Sequence, residues 1–220
     1  MGRPVTAFAA LALALALVGC GAQQGPARAA PEPQTATAAS PGPGPRATRA
    51  SWGRLARYDD HFQAAAGRFW RGLPLDWLWL WAQGMAESGL DPDAISPVGA
   101  RGLMQIMPAT ARELAEQTGL PARVNDPRTA AMLAAFYMRR LYLMWNSPRP
   151  HLDRVALALA CYNAGAGNIL KAQKAARAVG WCSDLWECVA RALPRVTGRH
   201  SRETTGYVAR INKFYMERKR

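Results

Sequence analysis

The segment Pro74–Ser88 constrains the fold more than any other part of the chain. It carries Leu75, Trp77, Leu78, Trp79, Leu80 and Trp81 within seven positions, apolar almost all round. A helix at the surface of a globular domain keeps a polar stripe, so a helix without one has to be enclosed by others. Pro74 suits a first helical turn, and Gly89 follows where the segment should stop. Half of the 220 residues are hydrophobic, enough for one core of ordinary size and too many for wholesale disorder.

The surrounding segments supply the enclosing layer. Helical periodicity predicts helices over Tyr58–Arg71, Pro108–Thr118, Asp126–Trp145, Leu152–Asn163, Asn168–Val179 and Glu203–Arg218. Asp126 is placed to cap its helix with Pro127 in the first turn, and Gly165 stops the next one. Gly89–Met107 holds Gly, Pro and Asp at loop frequency, strict polar/apolar alternation is nearly absent, and no internal repeat is found. The expected fold is mainly α, a single globular domain spanning residues 52–220.

The N-terminal quarter is of another kind. Arg3 precedes an Ala/Leu run of about 14 residues, Val5 to Val18, which is the length of a signal-peptide apolar region and short of a spanning helix. The run ends in Leu17-Val18-Gly19-Cys20, which resembles the bacterial lipobox. By that resemblance Cys20 is lipidated and becomes the mature N-terminus. An ordinary signal peptide cleaved nearby and an uncleaved anchor are the alternatives, and all three export the chain. The expected location is periplasmic, with a lipid anchor in a membrane. The outer membrane is favoured because Gly21, not an aspartate, follows Cys20.

Residues 21–51 read as a tether, with Gly42-Pro43-Gly44-Pro45 among Ala, Thr and Gln. About 30 such residues have an end-to-end distance of roughly 30 Å and stretch to roughly 100 Å. Trp52 is the first aromatic after the leader and marks the start of the folded domain.

The chain has 28 Lys+Arg against 15 Asp+Glu, a net charge of +13, which favours an anionic partner. Arg139-Arg140, Arg199, Arg202 and Arg218-Lys219-Arg220 could neutralise phosphates, but an exported chain rarely meets nucleic acid, and none is expected as a partner. Four cysteines are far too few for a disulfide-dense scaffold. In an oxidising compartment Cys182 and Cys188 could close a short loop around Trp181 and Trp186, while Cys161 lies in an apolar run and suits a buried position. Pairing of Cys161 with either of the others stays open. No Cys/His spacing fits a zinc site, and with three histidines in all, neither metal nor other cofactor is expected.

Glu87 is the candidate for chemistry. A carboxylate at the end of a tryptophan-rich helix is desolvated, which raises its pKa, and a raised pKa lets a general acid hold its proton near neutrality. Downstream, Gly99-Ala100-Arg101-Gly102-Leu103-Met104-Gln105-Ile106-Met107-Pro108 encloses one glutamine among apolar residues. Its glycines allow close backbone approach, and its amide can both donate to and accept from an N-acetyl sugar. Tyr162-Asn163-Ala164-Gly165 again puts two hydrogen-bonding side chains at the end of an apolar helix, and Glu203-Thr204-Thr205-Gly206-Tyr207-Val208 opens the last one.

In this order and at this spacing, Glu87-Ser88, Ile95 to Ile106 with Pro108, Tyr162 to Gly165, and Glu203-Thr204 with Tyr207-Val208 resemble the soluble lytic transglycosylase catalytic-domain family, over roughly Leu73 to Tyr215. The resemblance implies a lysozyme-like fold and a peptidoglycan glycan strand as substrate. It also implies Glu87 as the single catalytic acid/base, with Ser88, Gln105, Tyr162 and Asn163 contacting the sugar or orienting the carboxylate, and Tyr207 beside the glutamate. Family members cleave the β-1,4 bond between N-acetylmuramic acid and N-acetylglucosamine without water, leaving a 1,6-anhydro end.

Two rivals share these residues. A goose-type-lysozyme-like hydrolase would need a second carboxylate to activate water. Asp91 and Asp93 are nearest in sequence, none occurs from Ala94 to Arg112, and Asp126 or Glu203 would have to fold back. A non-catalytic peptidoglycan-binding protein is opposed by Glu87. The segment from Trp181 to Trp186, outside the family pattern, either lines a groove or is a disulfide-pinned surface loop, the preferred reading. General wall turnover and service to a secretion, phage or other cell-envelope machine fit the residues equally.

Overall fold

The computed structural model describes residues 55–220. The leader, Cys20, the tether and Trp52 lie outside the described residues. After a 3-10 turn at Ala56–Tyr58, nine helices follow among the described residues. They are α1 (Asp59–Phe69), α2 (Leu78–Ser88), α3 (Pro108–Thr118), α4 (Pro127–Met144), α5 (His151–Ala164), α6 (Ala166–Ala178), α7 (Trp186–Ala192), α8 (Pro194–Thr197) and α9 (Ser201–Lys219), with a second 3-10 turn at Gly198–His200 before the last. No strand forms among the described residues. Two isolated bridges, Ile95 with Arg101 and Arg101 with Ile106, fold the α2–α3 connection back on itself. The fold is mainly α, as expected.

Helix α2 is enclosed, as its composition requires: eight of its 11 residues are buried. It packs chiefly against α9, while α1 lies on α4, α4 on α5, and α5 on α6. Trp81, Phe62, Leu80, Leu133, Leu157 and Tyr207 are all fully buried. Polar ties hold the helices in register. The Trp70 indole donates to the Ala135 carbonyl at 2.8 Å, joining the end of α1 to α4. The Trp79 and Tyr215 rings stack at 3.8 Å, and the Tyr215 hydroxyl donates to Asp76 at 2.7 Å. Arg218 pairs with Asp59 and lies over the Trp81 ring, so part of the basic C-terminal tail is committed to the fold.

Most expected elements are present, with shifted ends. Helix α2 begins at Leu78, not Pro74, because Asp76 accepts a hydrogen bond from the Leu78 amide at 3.0 Å and makes a turn of what precedes it. The caps of α4 are those expected: Asp126 accepts from the Thr129 amide at 2.8 Å and Pro127 opens the helix. Helices α7 and α8 were not anticipated, since seven and four residues are too few to display a helical period.

Cys182 and Cys188 are joined in a disulfide with Cα atoms 5.6 Å apart, and Cys161 is buried and free. The indole of Trp181 lies against the guanidinium groups of Arg191 and Arg195, 4.3 and 5.0 Å from its centroid, and Trp186 packs on the core. With both tryptophans engaged this way, the segment has the geometry of a pinned loop rather than an open sugar platform. Cross-linking so short a loop contributes about 2 kcal/mol by the chain-entropy relation. Replacing both cysteines by Ser should lower the denaturant midpoint accordingly; equal midpoints for the two proteins would show that the bridge adds nothing.

Candidate active site

Glu87 occupies the last turn of α2, which Gly89 ends in a left-handed conformation, its amide donating to the carbonyls of Gly84 and Met85. The side chain is 5 % exposed and receives a hydrogen bond from the Tyr207 hydroxyl at 2.6 Å. Tyr207 comes from α9 and is itself fully buried, so two helices 120 residues apart in sequence fix the carboxylate. Burial pushes the Glu87 pKa up to about 8, against the lowering effects of the Tyr207 bond and Arg210; Glu203 adds to the rise. A carboxyl group so placed is largely protonated at neutral pH and can donate.

The α2–α3 connection forms a wall beside it. Ser88 donates to the Leu103 carbonyl at 2.9 Å and accepts from the Asp91 amide at 3.0 Å. Tyr162, from α5, donates to the Met104 carbonyl at 2.9 Å. Two glycines let this wall close in. A Cβ at Gly102, where φ is +72°, would lie 2.0 Å from the Val124 carbonyl oxygen, and one at Gly84 would lie 2.6 Å from Leu90 Cδ2. The wall also holds Gln105 at φ +45°, a conformation that costs energy for a residue with a side chain. Its amide nitrogen donates to the Ala94 and Gly102 carbonyls at 3.1 and 3.0 Å, which anchors the turn.

These contacts bear on the sequence expectations residue by residue. Glu87 and Tyr207 are brought into direct contact, and Glu87, once ionised, acts electrostatically on both Tyr162 and Tyr207. Ser88, Gln105 and Tyr162 all bond to the backbone of the wall. Gln105 therefore keeps only its Oε1, which is buried and unpartnered, for any further contact. Asn163 is half-buried near the end of α5. Among the described residues no cluster of His, Cys, Asp and Glu suited to a metal is found.

Of the candidate second carboxylates, Asp91 accepts from the Asp93 amide in an exposed turn and Asp126 caps α4. Glu203 is the one that folds back far enough to act on Glu87. Two side chains in this region, Arg210 and Gln83, lie outside the sequence motifs. Arg210 follows Glu203 and Tyr207 at helical spacing, and Gln83 interrupts an otherwise apolar helix four residues before Glu87.

Comparison with known proteins gives a consistent result. The family model "Transglycosylase SLT domain" matches residues 76–180, a span that includes Glu87, Ser88, Gln105, Tyr162 and Asn163 but not Tyr207. The chain is 34% identical over 180 residues to "Membrane-bound lytic murein transglycosylase F" of Maricaulis maris, covering 77% of this chain and 38% of that protein. It thus spans little more than a third of that relative's length. Among solved structures, it is similar to an inactive mutant of lytic transglycosylase Slt from Pseudomonas aeruginosa, with a TM-score of 0.58 and 26% identity over 74% of this chain and 24% of that one. The 70 kDa soluble lytic transglycosylase SLT70 of Escherichia coli gives a TM-score of 0.55 and 26% identity, over 74% and 25% of the two chains.

Proposed function

We propose that the chain, whose residues 76–180 match the transglycosylase SLT domain family model, cleaves peptidoglycan glycan strands by a non-hydrolytic route with Glu87 as sole acid and base. The observation that carries the proposal is a buried carboxyl group, with its pKa near 8, held by Tyr207 at 2.6 Å. In the first step protonated Glu87 gives its proton to the oxygen linking N-acetylmuramic acid to N-acetylglucosamine, and the bond from that oxygen to the muramic acid C1 breaks. In the second step the Glu87 carboxylate takes the proton of the muramic acid 6-hydroxyl, whose oxygen bonds to C1. The product is a 1,6-anhydro end, and Glu87 is again protonated. One carboxyl group suffices because the nucleophile belongs to the substrate.

Ser88 and Tyr162 support this chemistry by fixing the wall, and Gln105 and Asn163 are proposed to meet the sugar's acetamido group and hydroxyls. The export signal, Cys20 lipidation and periplasmic location belong to the same proposal; the curated relative is named as membrane-bound. No helix among the described residues is long and apolar enough to cross a membrane.

One observation favours a second reading. Glu203 lies close enough to act on Glu87, and a carboxylate there could activate a water and make the enzyme a hydrolase of the same bond. The two readings give products that differ in mass by one water. Digestion of purified peptidoglycan followed by mass spectrometry of the product ends should give anhydro-muropeptides; reducing ends instead would establish the hydrolase.

A further inference from the structure

Gln83 lies one helical turn before Glu87 on α2, a spacing that puts the two side chains on one face, roughly 5–6 Å apart at Cβ. It is 1 % exposed, and neither its Nε2 nor its Oε1 has a partner within hydrogen-bond distance. A buried amide left so costs about 1–3 kcal/mol, whereas a methionine of similar length would fill the space without that cost. Packing therefore gives no reason for a glutamine here. Its surroundings do.

The Gln83 amide acts on the Tyr207 hydroxyl as a donor would, making the phenol a better proton donor. That same hydroxyl donates to Glu87 Oε1 at 2.6 Å. We propose that Gln83 is a positioning residue for the acid/base pair: its N–H group faces the phenol oxygen, keeps Tyr207 donating to Oε1, and so leaves the carboxyl proton of Glu87 on Oε2. A hydroxyl free to rotate could instead accept that proton's hydrogen bond and draw it away from the reacting bond. When Glu87 gives up its proton, the phenol oxygen becomes more negative and the amide closes on it, stabilising the carboxylate where no water can. The other groups facing Glu87 are Arg210 and Glu203 from α9 and Tyr162 from α5. The role rests on Glu87 being the acid and base.

The test compares the full chain with Q83M, Y207F and the double variant. Q83M should lower kcat on peptidoglycan roughly tenfold with KM unchanged, and move the alkaline limb of the rate profile upward by about one pH unit. Its melting temperature at pH 5 should be unchanged or higher, since an unpaired amide has been removed. In the Y207F background Q83M should have no further effect, because its route to Glu87 is gone. Unchanged kcat and alkaline limb in Q83M, or losses that add to those of Y207F, would overturn the proposal. A second readout does not need turnover. The melting-temperature gap between the wild type and Glu87→Gln stops growing at the pH where folded Glu87 ionises, and Q83M should move that plateau upward. If the wild type releases no products, the reading of Glu87 has failed, while that shift still decides whether Gln83 acts on it.

Discussion

Glu87→Gln is expected to reduce the initial rate of muropeptide release from purified peptidoglycan by at least about 10²–10⁴-fold, the range a general acid or base contributes. Here one group is assigned both roles, so both steps lose their proton carrier and the upper end applies. The replacement is nearly isosteric, and its amide oxygen can still accept the Tyr207 hydroxyl that now reaches Glu87 Oε1 at 2.6 Å. The fold around α2 and α9 should persist, and so should binding to the sacculus. In the unaltered enzyme the same assignment predicts a rate that holds through neutral pH and falls as the medium passes about 8, where the acid loses its proton. Initial rates by chromatography of soluble products, taken across pH for both proteins, measure each effect. A Gln variant that turns over within tenfold of the wild type would remove Glu87 from the mechanism.

How much of this could be read from the sequence differs between fold and site for a physical reason. The burial of α2 followed from composition, since the segment Pro74–Ser88, with three tryptophans and three leucines, has no broad polar face to offer water. The caps of α4 followed from local chemistry at Asp126 and Pro127. Boundaries were less legible: the side chain of Asp76 competes for the Leu78 amide, and no pattern of apolar residues signals that bond. Helices α7 and α8 are held by the disulfide and by packing on α6, contacts between residues whose own segments are too short to show a period.

In the site, the resemblance brought together residues whose bonds it could not describe. Gln105 stood out as a polar side chain among apolar ones and was read as facing sugar. In the structure its nitrogen secures the turn that its own positive φ strains, and its Oε1 is left for any further contact. The nearness of Glu203 and Arg210 to Glu87 depends on where α9 lies against α2, which is tertiary information. Gln83 carried the same kind of signal as Gln105, a lone amide in an apolar run, at a spacing of four from the acid. Helical spacing from a candidate acid is thus as informative as the motif that contains it.

The burial that makes Glu87 an acid also makes it a liability, and the second large effect follows from that. Its pKa is about 8 in the folded chain and near 4.5 when unfolded. Between these values the folded state binds more protons than the unfolded one, so folding stability falls as pH rises. The contribution is fully present below about 4.5, is lost progressively, and is gone once the pH exceeds about 8. A difference of this size corresponds to stability on the order of 4 kcal/mol. Glu87→Gln has no such proton to lose, so the two proteins should melt alike near pH 4 and diverge steadily above it, with the variant more stable. At pH 8 the gap should be roughly 10 °C, at a few degrees per kcal/mol for a domain of this size. Other shifted carboxyls cancel in the comparison: Asp59, raised mainly by burial, and Asp126, lowered mainly by its bond with Thr129, are common to both. Thermal melts of the pair from pH 4 to 9 measure the gap, and a gap that stays flat with pH would mean that Glu87 is already ionised in the folded protein. A variant that loses activity while gaining stability in this pH-dependent way cannot owe its inactivity to misfolding. The two measurements together then assign both the rate and the stability change to one buried proton.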